Sequence, residues 1–177
     1  GSSIDGQLTT TIANPNPTGA NTSATVLEFR KPSGAQTWAG AFSNPNPTTP
    51  VSVAAGSKVT IMVHLDHIGN LALKLEGSSD GGPNWVQTKA NTVVNGWEKL
   101  EFDVAVPSEE APNQPASGHI YQTVTLFVDF GVSPAADQVS YLDNIQVEVP
   151  VTCTPILDFE NPATSTTFQY FGSSIDG

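Results

Sequence analysis

KVTIMVHLD, from Lys58 to Asp66, followed after Gly69-Asn70 by LALKLEG, from Leu71 to Gly77, decides the fold class of this chain. Successive side chains of a strand point to opposite faces. Val59, Ile61, Val63 and Leu65 therefore share one face, and Thr60, Met62, His64 and Asp66 share the other. In the second run Leu71, Leu73 and Leu75 face inward, with Ala72, Lys74 and Glu76 opposite. Two apolar-polar alternations split by a Gly-Asn turn predict a β-hairpin with one face on a core.

The same two-residue period recurs on both sides of this stretch, and no segment carries a sustained helical period. Strands are expected at Gln7 to Ala13, Asn21 to Lys31, Thr37 to Ser43, Trp85 to Thr92, Trp97 to Val106, Thr123 to Gly131 and Ser140 to Val149. Two more are expected at Ile156 to Glu160 and Thr166 to Phe171. Within Asn21 to Lys31, Ala24, Val26 and Glu28 fall on one face and Thr25, Leu27 and Phe29 on the other. Two copies of Asn-Pro-Asn-Pro-Thr, at Asn14 to Thr18 and Asn44 to Thr48, end strands, because proline cannot serve a central ladder. Roughly ten short antiparallel strands with polar turns predict an all-β fold, a two-sheet antiparallel β-sandwich of the jelly-roll type.

Composition narrows the partners. Six Lys and Arg stand against 17 Asp and Glu, a formal charge of -11, whereas nucleic-acid binding needs a basic footprint. No apolar run is long enough to insert into a membrane. A single cysteine, Cys153, rules out an internal disulfide framework. HExxH, GxSxG, Walker and Rossmann signatures are all missing, so no catalytic residues are assigned and the chain is expected not to be an enzyme.

GSSIDG at Gly1 to Gly6 returns at Gly172 to Gly177. This repetition predicts a tandem array cut part-way through a repeat. The expected organisation is a jelly-roll body over residues 1–149 and a linker over 150–155. Residues 156–177 then hold the opening strands of the same or the next repeat, displaced to the C-terminus.

LDFE (Leu157 to Glu160), the run Asn16 to Ser23, WAGA (Trp38 to Ala41), KLE (Lys74 to Glu76), WEKLEFD (Trp97 to Asp103) and YLDNI (Tyr141 to Ile145), taken around the circle, resemble carbohydrate-binding-module-like jelly rolls. Such modules accompany secreted glycan-degrading enzymes and surface proteins, especially of Bacteroidetes. The resemblance implies a secreted or cell-surface protein that adheres to polysaccharide. It also implies a structural Ca²⁺ joining the opening and closing strands, with Glu160, Asp143 and Asn21 as ligands and Asp158 as a further carboxylate; hard oxygen donors suit that ion.

A sugar platform needs aromatic rings flanked by planar polar groups. Trp85, after a Gly-rich loop, is expected at the surface as the main platform, and Trp38 is placed equally in a platform or in the core. Trp97 precedes a core strand and is expected to be structural; Tyr121 is the remaining ring considered. His64, Asp66, Lys74 and Glu76 point away from the apolar face of two neighbouring strands, either lining a groove or facing water. Alternation sends His67 opposite to His64 and Asp66, so this trio is not expected to bind metal. Two functions follow: a non-catalytic, calcium-stabilised glycan-binding repeat, or a structural repeat that passes its C-terminal strands to neighbouring copies in an extracellular filament.

Overall fold

The computed structural model describes residues 8–44, 46–149 and, as backbone strands, 152–157 and 167–171. Both GSSIDG copies, Asp158 and Glu160 lie outside the described residues. The chain is an antiparallel β-sandwich, as the alternation predicts. Its strands are β1 (Thr9–Ala13), β2 (Thr25–Lys31), β3 (Gly40–Asn44), β4 (Val51–Val53), β5 (Lys58–Leu65), β6 (Asn70–Glu76), β7 (Trp85–Ala90), β8 (Gly96–Asp103), β9 (His119–Tyr121), β10 (Thr123–Val128), β11 (Gln138–Val149), β12 (Thr152–Leu157) and β13 (Thr167–Phe171). One sheet runs β1-β2-β11-β5-β8 with β12 also on β11, and the other runs β13-β3-β10-β6-β7; β4 and β9 form a small ribbon. Among the described residues no helix is long and apolar enough to cross a membrane.

The faces assigned to Lys58 to Gly77 are observed, but the hairpin is not. Val59, Ile61, Val63 and Leu65 meet Leu71, Leu73 and Leu75 in one core, where each fully buried side chain contributes about 1.5–3 kcal/mol. β5 pairs with β11 and β8, however, and β6 with β10 and β7. Residues 66–69 are thus an arch that carries the chain from one sheet to the other. Two strands with inward apolar faces satisfy the same alternation side by side or across a core, so the period cannot separate hairpin from arch.

The arch is fixed by partners from both sheets. Asn91 Oδ1 accepts from the Gly69 amide (2.7 Å), and its Nδ2 donates to the His67 carbonyl (2.9 Å) and the Val93 carbonyl (2.8 Å). The Asn95 amide donates to the Leu65 carbonyl (2.7 Å) and the Phe130 amide to the Asn70 carbonyl (2.9 Å). His67 lies between Asp66 (2.6 Å) and Asp129 (2.8 Å). Gly69 is required here because a Cβ would strike the Asp129 carboxylate.

Residues 152–155 of the stretch expected as a linker belong to β12, which pairs with β11 of the same chain, and β13 pairs with β3.

Candidate functional site

Register brings one side chain from each of five strands into a row on the outer face of the six-stranded sheet. Thr10 lies opposite Glu28, Glu28 opposite Tyr141, Tyr141 opposite His64, and His64 opposite Trp97. At a strand spacing of about 4.8 Å the row is on the order of 19 Å long. The His64 ring packs edge-on against Trp97 (centroids 5.5 Å apart) and Tyr141 (5.8 Å).

The first Asn-Pro-Asn-Pro-Thr stretch walls one side of the row. Asn16 accepts from Trp97 Nε1 through its carbonyl (2.8 Å), and its Nδ2 donates to His64 Nε2 (3.2 Å). With Nε2 accepting, neutral His64 carries its proton on Nδ1. Asn14 Oδ1 accepts from the Asn16 amide (2.9 Å) and Thr18 Oγ1 donates to Asn16 Oδ1 (2.6 Å), the local bonds by which Asn and Thr hold turns. On the same face Val26, Met62 and Trp97 form a small apolar cluster with Ile12 and Tyr141 against it, and the loop continues past the wall as a roof tied down at Asn21. Asn21 Nδ2 donates to Asp143 Oδ2 (2.8 Å), with both side chains buried.

On the row's other side, Arg30 Nε donates to Glu28 Oε1 (2.6 Å), and that bond and charge hold the guanidinium pKa above its usual value. Glu28 keeps 14 % of its side chain exposed and Arg30 keeps 50 %. The row thus combines aromatic edges, a carboxylate acceptor, an imidazole donor and a guanidinium, the mixture that recognises hydroxyl-bearing rings.

The expected site residues disperse. Trp85 is corrected: it is 0 % exposed, packs in the main core and donates its indole N–H to the Val106 carbonyl (2.9 Å), so its ring cannot form a platform. Tyr121 is also core, its phenol pushed up to about 12 by burial. Trp38 is 50 % exposed, in the turn before β3, and is not a member of the row. His64 is on the outer face of the six-stranded sheet and Asp66 is in the arch beyond β5, against His67, whereas Lys74 and Glu76 are on the opposite outer face. The four therefore line no common groove, a direct consequence of the arch.

On that opposite face Lys74 pairs with Glu110 (2.9 Å) and Glu76 (3.3 Å). Burial works against its ammonium, but these carboxylates outweigh it and raise the pKa. Thr125 Oγ1 donates to Glu76 Oε2 (2.5 Å), and Ala72, Val86, Phe127 and Phe130 pack beside this group.

Of the calcium ligands implied by resemblance, Asn21 and Asp143 do come together. Yet Asn21 offers an N–H to Asp143 and spends its Oδ1 on the Ser23 amide (3.0 Å). Asp143 Oδ1 accepts from the Asn144 amide (2.8 Å). Among the described residues no group of three His, Cys, Asp or Glu is arranged to hold a metal.

Sequence patterns do not single out Thr10, Asn16, Glu28, Arg30 or Tyr141 as ligand-binding. Alternation puts Glu28 on the outer face with Val26, but only the strand order makes Tyr141 and His64 its neighbours.

No protein-family model matches the chain, and no curated protein matches it significantly. Among solved structures it is similar to TmCBM61, a carbohydrate-binding module determined in complex with β-1,4-galactotriose. The identity is 16 %, the TM-score 0.45, and the match covers 78 % of this chain and 80 % of that one.

Proposed function

We propose that this chain is a non-catalytic polysaccharide-binding β-sandwich whose ligand lies along the row from Thr10 to Trp97. The single observation that carries the reading is that row: aromatic and hydrogen-bonding side chains are set side by side across five adjacent strands beside a wall formed by Asn16. Tyr141 supplies an apolar ring, Glu28 accepts from hydroxyls, and His64 Nδ1 donates.

Isothermal titration calorimetry against a set of soluble plant and microbial polysaccharides tests it. Tyr141→Ala is expected to weaken binding at least about tenfold, about 1.4 kcal/mol, and Trp38→Ala to leave it unchanged. Full affinity in Tyr141→Ala would remove the row from the ligand site.

The proposal extends to a secreted or cell-surface setting and to a structural Ca²⁺ ligated by Asp143, Glu160 and Asp158. Asn21 would join only by turning its amide oxygen toward the ion. A melting temperature that rises with added Ca²⁺ and falls with chelator supports this part, and an unchanged one removes it.

A second reading, a structural repeat that exchanges C-terminal strands with neighbouring copies, is favoured by β13 standing at the edge of its sheet. An edge strand is the element exchanged at least cost. Concentration-dependent association that stops when residues 156–177 are deleted supports it; a monomer at all concentrations does not.

A further inference from the structure

We infer that the polysaccharide is uncharged, and specifically that this chain discriminates against uronate- and sulfate-bearing glycans; the inference rests on the ligand reading above. Its basis is the position of every Lys and Arg in the chain. A carboxylate or sulfate on a sugar is held by a guanidinium or ammonium that is not already neutralised.

The chain has six Lys and Arg, and the structure gives each a partner. Arg30 is on Glu28 (2.6 Å). Lys31 is buried and donates to the Val128 (3.1 Å) and Asp129 (2.8 Å) carbonyls. Lys58 is on Glu101 (2.5 Å), and Lys99 lies between Glu101 (3.3 Å) and Glu148 (3.1 Å). Lys74 is held by Glu110 and Glu76. Lys89 lies over the Phe102 ring, 5.9 Å from its centroid.

Arg30, Lys58, Lys74 and Lys99 are matched to carboxylates, and Lys31 and Lys89 face the chain's own carbonyls and ring. With 17 acids in all, no cluster of unopposed positive charge is left among the described residues for an anionic ligand. At the row the balance is just as clear. Arg30 and Lys99 each stand two residues along a strand from a member of the row, Glu28 and Trp97. Lys99 is held by Glu101 and Glu148, and Arg30's partner Glu28 is itself a member of the row. A uronate laid there meets a guanidinium whose charge Glu28 already offsets and, beside it, the Glu28 carboxylate itself, and two like charges in contact repel. Hydroxyl groups meet no such obstacle, because Glu28 accepts from them and neutral His64 donates.

Affinity electrophoresis tests this with the whole chain. Gels contain neutral galactan, xylan, mannan or mixed-linkage glucan, or the polyanions polygalacturonate and dextran sulfate, or the polycation chitosan, each at low and high salt. Retardation is expected only by one or more of the neutral polymers, with little change on adding salt. Glu28→Gln, which frees Arg30, is expected to gain weak, salt-sensitive retardation by polygalacturonate. Retardation of the unmodified chain by a polyanion or by chitosan, abolished by salt, overturns the inference while leaving the ligand reading in place. Retardation by none of the polymers overturns both.

Discussion

The two outer faces of the sandwich start from the same alternating sequence and finish with different chemistry. On the six-stranded sheet, the loop from Asn14 to Ser23 ties to the buried Asp143 through Asn21 and to His64 and Trp97 through Asn16, leaving a polar-aromatic strip beside a wall. On the five-stranded sheet, Lys74 is tied to Glu76 and Glu110 next to an apolar cluster of Ala72, Val86, Phe127 and Phe130. The first face offers hydrogen-bonding groups on aromatic edges; the second spends its charges on itself. Alternation decides which side chains look outward, whereas loops and register decide what those side chains meet.

Four perturbations sharpen that contrast. Trp97→Ala should do most: it empties the space beside Val26 and Met62 and removes the bond to Asn16, for a loss of about 3–5 kcal/mol in chemical denaturation. Asn21→Ala unties the roof, leaving Asp143 without that donor and the Ser23 amide without its acceptor. Its cost is expected at about 1–3 kcal/mol, and a loss near zero would show that the roof does not depend on this pair.

Lys74→Met acts on the other face. Its ion pairs are partly solvated, so the expected cost is about 1 kcal/mol or less, with glycan affinity unchanged. A fall in affinity would move the ligand to the five-stranded sheet.

The smallest effect is pH-dependent and belongs to the arch that sends the two faces apart. Burial disfavours the His67 imidazolium, but hydrogen bonds and charge from Asp66 and Asp129 outweigh it and raise the pKa above 6.5. A raised folded-state pKa gives stability that is fully present below the unfolded value and lost as pH rises through the folded one. Melting temperature should therefore decline in that window more for the native sequence than for His67→Gln. Parallel curves would remove His67 as a proton-linked clasp.

Much of the sandwich was legible because its signal is local. Val59, Ile61, Val63 and Leu65, or Leu27 and Phe29, each announce a buried face within a few residues. The arch was not, because a four-residue connection between two amphipathic strands has the same pattern whether it folds back in one sheet or crosses to another. That one ambiguity dispersed the expected groove of His64, Asp66, Lys74 and Glu76.

Trp85 misled for a related reason. A glycine-rich loop before it suggests exposure, but Trp85 lies opposite Leu75 and faces inward, with Val106 receiving its N–H. Tyr141 was visible only as part of a family-like YLDN run. Its place beside Glu28 and His64 depends on three strands far apart in sequence, which no local period encodes.

The most direct test of the central claim is to map shift perturbations by NMR while titrating the ¹⁵N,¹³C-labelled chain with a neutral polysaccharide fragment that it binds. The expected result is that Thr10, Glu28, His64, Tyr141 and the Trp97 indole N–H respond together, while Lys74, Phe127 and Trp38 stay still. Perturbations centred on Lys74, Phe127 or Trp38, with the row unaffected, would contradict it.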